Sequence, residues 1–154
     1  MDRALVKSWY EQYKQDIFRY AFVLVKDDHL AEDILHDTFV KLLSGRYTVD
    51  PEKIRPWLYR VARSLSYDQL RKRKFEAEEA APACAAGNPY AYIELLAHLP
   101  PRDQEIVSLK IIGGLTHREI GAVLGITAAA AQKRYERAIA TLREEEDVYG
   151  TKTV

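Results

Sequence analysis

Three groups of side chains in this sequence have types and spacings that could do chemistry. The first is His29, Asp33 and His36, four and three residues apart and so on one helical face. Within it "DILH" is a carboxylate-x-x-His pattern of the kind that helical di-metal sites use. Such a centre needs a second copy of the pattern and further carboxylates on facing helices, and the sequence offers only Glu94 and His98. A small helical metal enzyme is therefore the weaker reading, and a solvated acidic face or a docking face for a basic partner is the stronger. No catalytic residue, metal ligand or cofactor is assigned.

The second group is Arg60, Arg63, Tyr67, Arg71 and Lys74, which share one helical face, with Trp57 three residues before the first of them. A cationic stripe holding aromatic rings suits a single nucleic-acid strand, whose phosphates seek the charges and whose bases stack on the rings. The competing reading is a solvated basic face with Trp57 buried in the core. For Trp57 alone the core is preferred; for the stripe as a whole, the run "RKRK" favours nucleic acid.

The third group lies in "GLTHREIGAVLGITAAAAQKRYERAIATLRE". Thr116 followed three residues later by Glu119 is a capping box, Gly125 fits a turn that needs positive φ, and Thr127 can cap the helix that follows. This is the layout of a helix-turn-helix, whose second helix meets base edges in the major groove. Its outward positions are Ala128, Ala129, Gln132, Lys133, Glu136, Arg137 and Ala140, and Ala131, Tyr135, Ala138, Ile139 and Leu142 form its inward stripe. A helical pair packed for its own sake is the alternative. Capping box, glycine, spacing and bases together favour DNA.

Helices must position all three groups. Trp9, Tyr13, Ile17, Tyr20, Ala21 and Leu24 recur at helical spacing and predict a first helix to about residue 25. Asp28 is placed to cap a second helix over 29–43, with Leu30, Ile34, Leu35, Thr38, Phe39 and Leu42 inward. Residues 44–53 read as a loop, and Pro56 suits the first turn of a third helix reaching 76, with Leu58, Val61, Ala62 and Leu65 inward. The low-complexity stretch 77–89 reads as a linker. A short segment at 90–98, a helix over 101–112 and the helix-turn-helix pair follow, with 148–154 as a tail. No strand pattern is present. The expected fold is all-α: two small helical domains, 1–76 and 90–147, joined by a linker.

With 23 basic and 23 acidic residues the formal net charge is zero, so global charge announces no partner. Its distribution does. Residues 27–37 hold five acids and no Lys or Arg; 60–74 hold six bases against Asp68 alone. Surfaces of opposite sign imply different partners. Cys84 is the only cysteine, no apolar run is long enough to span a bilayer, and no export leader is legible, so a cytoplasmic protein without membrane insertion is expected.

The order of these pieces resembles a bacterial RNA polymerase sigma factor of the sigma-70 family, of the extracytoplasmic-function (ECF) type. "DIFRYAFVLVKDDHLAEDILHDTFVKLL" and "RPWLYRVARSLSYDQLRKRK" are similar to region 2 of that family, and "LPPRDQEIVSLKIIGGLTHREIGAVLGITAAAAQKRYERAIATLRE" to region 4. The resemblance covers residues 10–76 and 93–145. It implies that Glu32, Asp33, His36 and Asp37 dock on core RNA polymerase, at the clamp helices of its largest subunit. It implies that loop 44–53 and Arg60, Arg63, Ser64, Tyr67, Arg71 and Lys74 capture and help melt the promoter −10 element. It assigns double-stranded −35 DNA to Thr127, Gln132, Lys133, Arg134 and Arg137, and allows an anti-sigma protein as a further partner. The chain departs from the family pattern in two places. Ser64 stands where asparagine is frequent, and Ala130, Ala131 and Gln132 stand where Thr-Val and a base are usual. The expectation is a weak intrinsic −35 readout resting on Gln132 and Lys133. An adaptor that docks on polymerase without −35 readout is the alternative.

Overall fold

Helix α1, Arg3–Val25, is long because its apolar positions recur every three to four residues and no proline or glycine interrupts it. In the computed structural model, which describes residues 3–76 and 91–152, it ends in a two-residue corner. Lys26 adopts a left-handed φ of 53° while its N–H donates to the Phe22 carbonyl at 2.8 Å. Asp27, extended at φ −151°, then caps α2 (Asp28–Leu43), accepting from the His29 and Leu30 amides. The cap is therefore Asp27 and not Asp28 as the sequence suggested. Asp28 instead occupies the first turn, where its charge complements the helix dipole.

After α2 the loop closes with a 3-10 turn, Pro51–Lys53, capped by Asp50, and leads into α3, Ile54–Glu76. Pro56 is the third residue of that helix, still among the positions whose N–H has no intrahelical acceptor. Helix α1 packs on α2 and α3, and α2 on α3. Ile17, Tyr20, Ala31, Leu42, Leu58 and Ala62 are fully buried among them. Tyr20 and Tyr59 meet edge-to-face at 5.2 Å, and each large apolar side chain contributes about 1.5–3 kcal/mol. The hydroxyls of Thr38 and Ser66 lie in this core, each donating to the carbonyl one turn back. Arg73 ties the far end of α3 to the α1–α2 corner, donating to the Val25 carbonyl at 2.9 Å with Asp27 3.5 Å away.

Burial pushes the Asp16 carboxyl on α1 upward, with the Arg19 and Arg55 guanidiniums pulling the other way. A carboxyl raised by folding contributes stability that is full below its unfolded pKa and lost as pH rises through its folded one. Asp16→Asn, which cannot ionise, is accordingly expected to melt at or above the wild-type temperature at neutral pH, the gap narrowing in acid. A variant that melts lower at neutral pH would mean that the 3.7 Å contact to Arg19 outweighs desolvation.

The chain divides into two compact units, Met1–Ala85 and Ala86–Val154. In the second, α4 (Ala91–Leu96), α5 (Pro101–Ile111), α6 (His117–Leu124) and α7 (Ala128–Lys152) follow in order. Helix α5 packs on α6 and α7, and α6 on α7. Leu99, Ile106, Leu109, Leu115, Ile120, Ala131 and Ala138 form the core. The buried Gln104 amide donates to the Leu99 carbonyl at 2.8 Å and so closes the turn before α5. Helix α7 continues past residue 147, through most of the segment read from sequence as a tail. The linker 77–89 with Cys84, and the side chain of Lys74, lie outside the described residues. Among the described residues there is no strand, and no helix is long and apolar enough to cross a membrane.

Candidate nucleic-acid and protein-docking interfaces

On α3 the basic stripe is one surface, but its members differ in what holds them. Arg60 and Ser64 are exposed. The Arg63 guanidinium lies over the Tyr67 ring at 4.8 Å from its centre, so cation and ring present a joint face. Arg71 is exposed and ion-paired with Asp68, the single acid of the stripe. Arg73 belongs to the opposite side of the helix, holding the α1–α2 corner. The run "RKRK" is thus divided between an exposed surface, at Arg71, and the fold, at Arg73.

Trp57 is half-buried rather than a core residue. Its ring meets Tyr47, from the loop before α3, edge-to-face at 5.8 Å. The two rings line an open cleft of 330 Å3 together with Lys41, Arg60, Ser64 and Asp68. Val61 and Leu65 complete its wall, which is why those two positions, expected inward, are only half-buried. Tyr47 is 44% exposed, and a ring held at the edge of a cleft rimmed by two cations can stack on an unpaired base. Sequence reasoning included Tyr47 only within the loop 44–53, did not pair it with Trp57, and missed Lys41. Helical periodicity cannot report a contact made across a loop.

On α2, Glu32, Asp33, His36 and Asp37 are all exposed, as is His29. Among the described residues no three His, Cys, Asp or Glu side chains are grouped closely enough to share a metal ion. His36 instead borders a groove of 570 Å3 between α1 and α2, lined also by Arg3, Tyr10, Phe39, Val40 and Leu43. Val40 and Leu43 are 60% and 54% exposed, so the acidic face runs beside an apolar strip. That strip is the part of the surface that sequence reasoning did not find, because only the inward residues of α2 follow the helical repeat.

In the second unit the helix-turn-helix forms through its caps. The Thr116 hydroxyl accepts from the Glu119 amide at 3.1 Å, and the Glu119 carboxylate accepts from the Thr116 amide at 2.9 Å. Gly125 takes φ 75° and donates to the Gly121 carbonyl at 2.8 Å, closing α6 in the left-handed conformation that glycine tolerates. Gly121 is needed for a different reason. A Cβ there would stand 2.6 Å from the Ile126 carbonyl oxygen, so α6 approaches the turn as closely as a bare backbone permits.

The Thr127 hydroxyl accepts from the Ala130 amide at 3.1 Å and starts α7. Ala131 and Ala138 are buried, while Ala128, Ala129, Ala130, Gln132, Lys133, Glu136, Arg137 and Ala140 are exposed. Arg134 is half-buried at the flank of that strip. The first exposed turn of α7 therefore carries methyl groups only, and Gln132 is its first exposed side chain able to hydrogen-bond beyond the cap.

Comparison with known proteins accounts for both units. The family model for sigma-70 region 2 matches residues 9–76 and that for sigma-70 region 4 matches residues 90–142. Among characterised relatives, the RNA polymerase sigma factor SigV of Bacillus subtilis is 31% identical over 150 residues, spanning 92% of this chain and 90% of its own. The ECF RNA polymerase sigma factor SigM of the same organism is 29% identical over 133 residues, spanning 78% and 82%. The fold is shared with CnrH, solved with the cytosolic domain of CnrY, at a TM-score of 0.73 and 23% identity over 96% of this chain and 90% of that one. It is shared also with RpoE of Bartonella quintana, solved with the anti-sigma factor NepR, at 0.70 and 22% over 92% and 96%. Two matched regions in the family's order, together covering most of the chain, place it: the chain belongs to the sigma-70 family of RNA polymerase sigma factors, transcription initiation factors, and to its ECF type.

Proposed function

We propose that this ECF sigma factor divides promoter recognition between its units: residues 1–76 dock on core polymerase and hold the opened −10 strand, and residues 90–147 read the −35 duplex, with 77–89 as the tether between them. The observation that carries this division is the pairing of a ring-lined basic cleft on α3 with a helix-turn-helix on α6 and α7. A strand with unstacked bases fits the cleft, and a duplex groove fits an exposed helix.

In this reading Glu32, Asp33, His36 and Asp37 supply charge for docking and the neighbouring Val40 and Leu43 supply apolar contact. Arg60, Arg63, Ser64, Tyr67, Arg71 and Lys74 follow the strand, and Trp57 with Tyr47 stacks on a base. Zero net charge fits a subunit that reaches DNA as part of a larger enzyme. The protein acts as a specificity subunit with no catalysis of its own, in the cytoplasm. An anti-sigma protein is included among its partners, since the Bartonella relative was solved with one.

Thr127, Gln132, Lys133, Arg134 and Arg137 are the −35 contacts. Their weight is uneven, because the Thr127 hydroxyl is engaged in the cap and Arg134 sits at the flank. Gln132→Ala is expected to relax preference at one base pair by about 1–3 kcal/mol, the worth of one bidentate contact. Selection from a promoter library measures it, and full retention of base preference would remove Gln132 from the readout.

Run-off transcription with bacterial core polymerase on random promoter fragments tests the whole reading. Protein-dependent transcripts sharing a −10 and a −35 motif are expected. The three exposed alanines at the start of α7 favour a second reading, an adaptor that docks without −35 readout. Enrichment of a −10 motif alone would establish it, and failure to bind core polymerase would end both.

A further inference from the structure

Helix α7 offers DNA an unusual first turn. Ala128, Ala129 and Ala130 are exposed and carry only methyl groups, and the Thr127 hydroxyl oxygen accepts from the Ala130 amide as the helix cap. The hydrogen-bonding burden at this end of the helix falls on Gln132. Glutamine is poorly suited to bear it alone, because its amide sits on three rotatable bonds and must be ordered before it can contact a base. The structure supplies the ordering from the next turn. The Gln132 Nε2 donates to Glu136 Oε2 at 3.1 Å, one helical turn on and equally exposed.

We propose that Glu136 is a positioning residue for promoter readout, its carboxylate holding the Gln132 amide in place for an adenine edge. The inference rests on the −35 reading given above. One N–H of the amide goes to Glu136, leaving the other N–H and the carbonyl oxygen. Those are the donor and acceptor that adenine N7 and its N6 amino group require. An acid on a helix facing phosphates costs affinity by like-charge repulsion. Here the cost is offset by a preordered glutamine, so that Glu136 gives selectivity at the expense of overall binding.

The test compares the full-length wild type with Gln132→Ala, Glu136→Ala and Glu136→Gln, each with core polymerase on one library randomised through the −35 element. Gln132→Ala identifies the base pair that Gln132 reads. Glu136→Ala is expected to weaken preference at that same pair about two- to tenfold, the scale of ordering one long side chain. Glu136→Gln, whose amide oxygen still accepts, is expected to restore it. Preference altered only at a different pair would make Glu136 a direct reader and overturn the inference. So would equal, sequence-independent gains in binding for both Glu136 variants, since charge removal alone explains those. A silent Glu136→Ala beside an effective Gln132→Ala sinks the positioning role and spares the −35 reading. A silent Gln132→Ala overturns the positioning role by removing Gln132 from the readout, whereas a wild type that selects no base anywhere in the −35 element sinks the −35 reading itself.

Discussion

Gly121→Val is expected to destabilise the second unit by about 3 kcal/mol and to abolish −35-dependent transcription while core-polymerase binding persists. The reason is local and has no soft neighbour to absorb it. A Cβ at position 121 would meet the Ile126 oxygen at 2.6 Å, the Thr127 carbonyl carbon at 3.2 Å and the Ala128 nitrogen at 3.3 Å, all of them backbone. Relief requires α6 to withdraw from the turn. That withdrawal strains the two hydrogen bonds that the Gly121 carbonyl accepts from the Gly125 and Ile126 amides. Gly121→Ala separates the opposing terms. Alanine favours a helix interior over glycine by about 1 kcal/mol, whereas overpacking costs about 1–3 kcal/mol, so a smaller net loss is expected. Gly125 supplies the control: a Cβ there meets nothing within 4 Å, and Gly125→Asn should cost little because asparagine tolerates the left-handed region. Amide hydrogen exchange across α6 and α7 of the full chain measures all three. Protection in Gly121→Val equal to wild type would mean that α6 can move away from the turn freely.

These two glycines also mark how far the sequence could be read. Gly125 was legible, because a glycine just past an apolar helical repeat is a stop signal with a known conformation. Gly121 looks like an ordinary weak spot within a helix, and only the fold shows what its missing side chain makes room for. The same division holds in the first unit. The helices over 3–25, 28–43 and 54–76 follow from apolar spacing, and the basic stripe follows from the same arithmetic applied to charge. The exposed apolar strip of Val40 and Leu43 does not, because no local pattern distinguishes an apolar residue left exposed from one beside the core. The same spacing leaves Arg73 off the face of Arg71, but nothing in the sequence says that its guanidinium binds the Val25 carbonyl at the α1–α2 corner. At α7 the sequence located Gln132 and Glu136 on one face but gave no sign of their hydrogen bond.

Trp57→Ala is expected to weaken capture of the melted −10 strand by about 1–3 kcal/mol for each base that loses its stacking partner. By sequence alone the core is the preferred place for Trp57, and its half-burial beside Tyr47 changes the expectation. A core tryptophan would cost stability when truncated, whereas one lining an open cleft costs binding. Both terms apply here, so the variants must separate them. Trp57→Phe keeps a ring with smaller area, and should retain most strand binding. Tyr47→Ala, at a side chain 44% exposed in the loop, should leave the melting temperature within about 0.5 kcal/mol equivalent of wild type and still weaken the strand. The cations at the cleft, Lys41 and Arg60, add a salt-dependent share, so their alanine variants should flatten the dependence of affinity on salt whatever the base. The ring variants should leave that slope alone. Open-complex lifetime with core polymerase, measured across a salt series on a single promoter, reads both effects. If Trp57→Ala lowered the melting temperature but left that lifetime intact, the cleft would be a fold contact and the strand would have to follow Arg63, Tyr67, Arg71 and Lys74 instead.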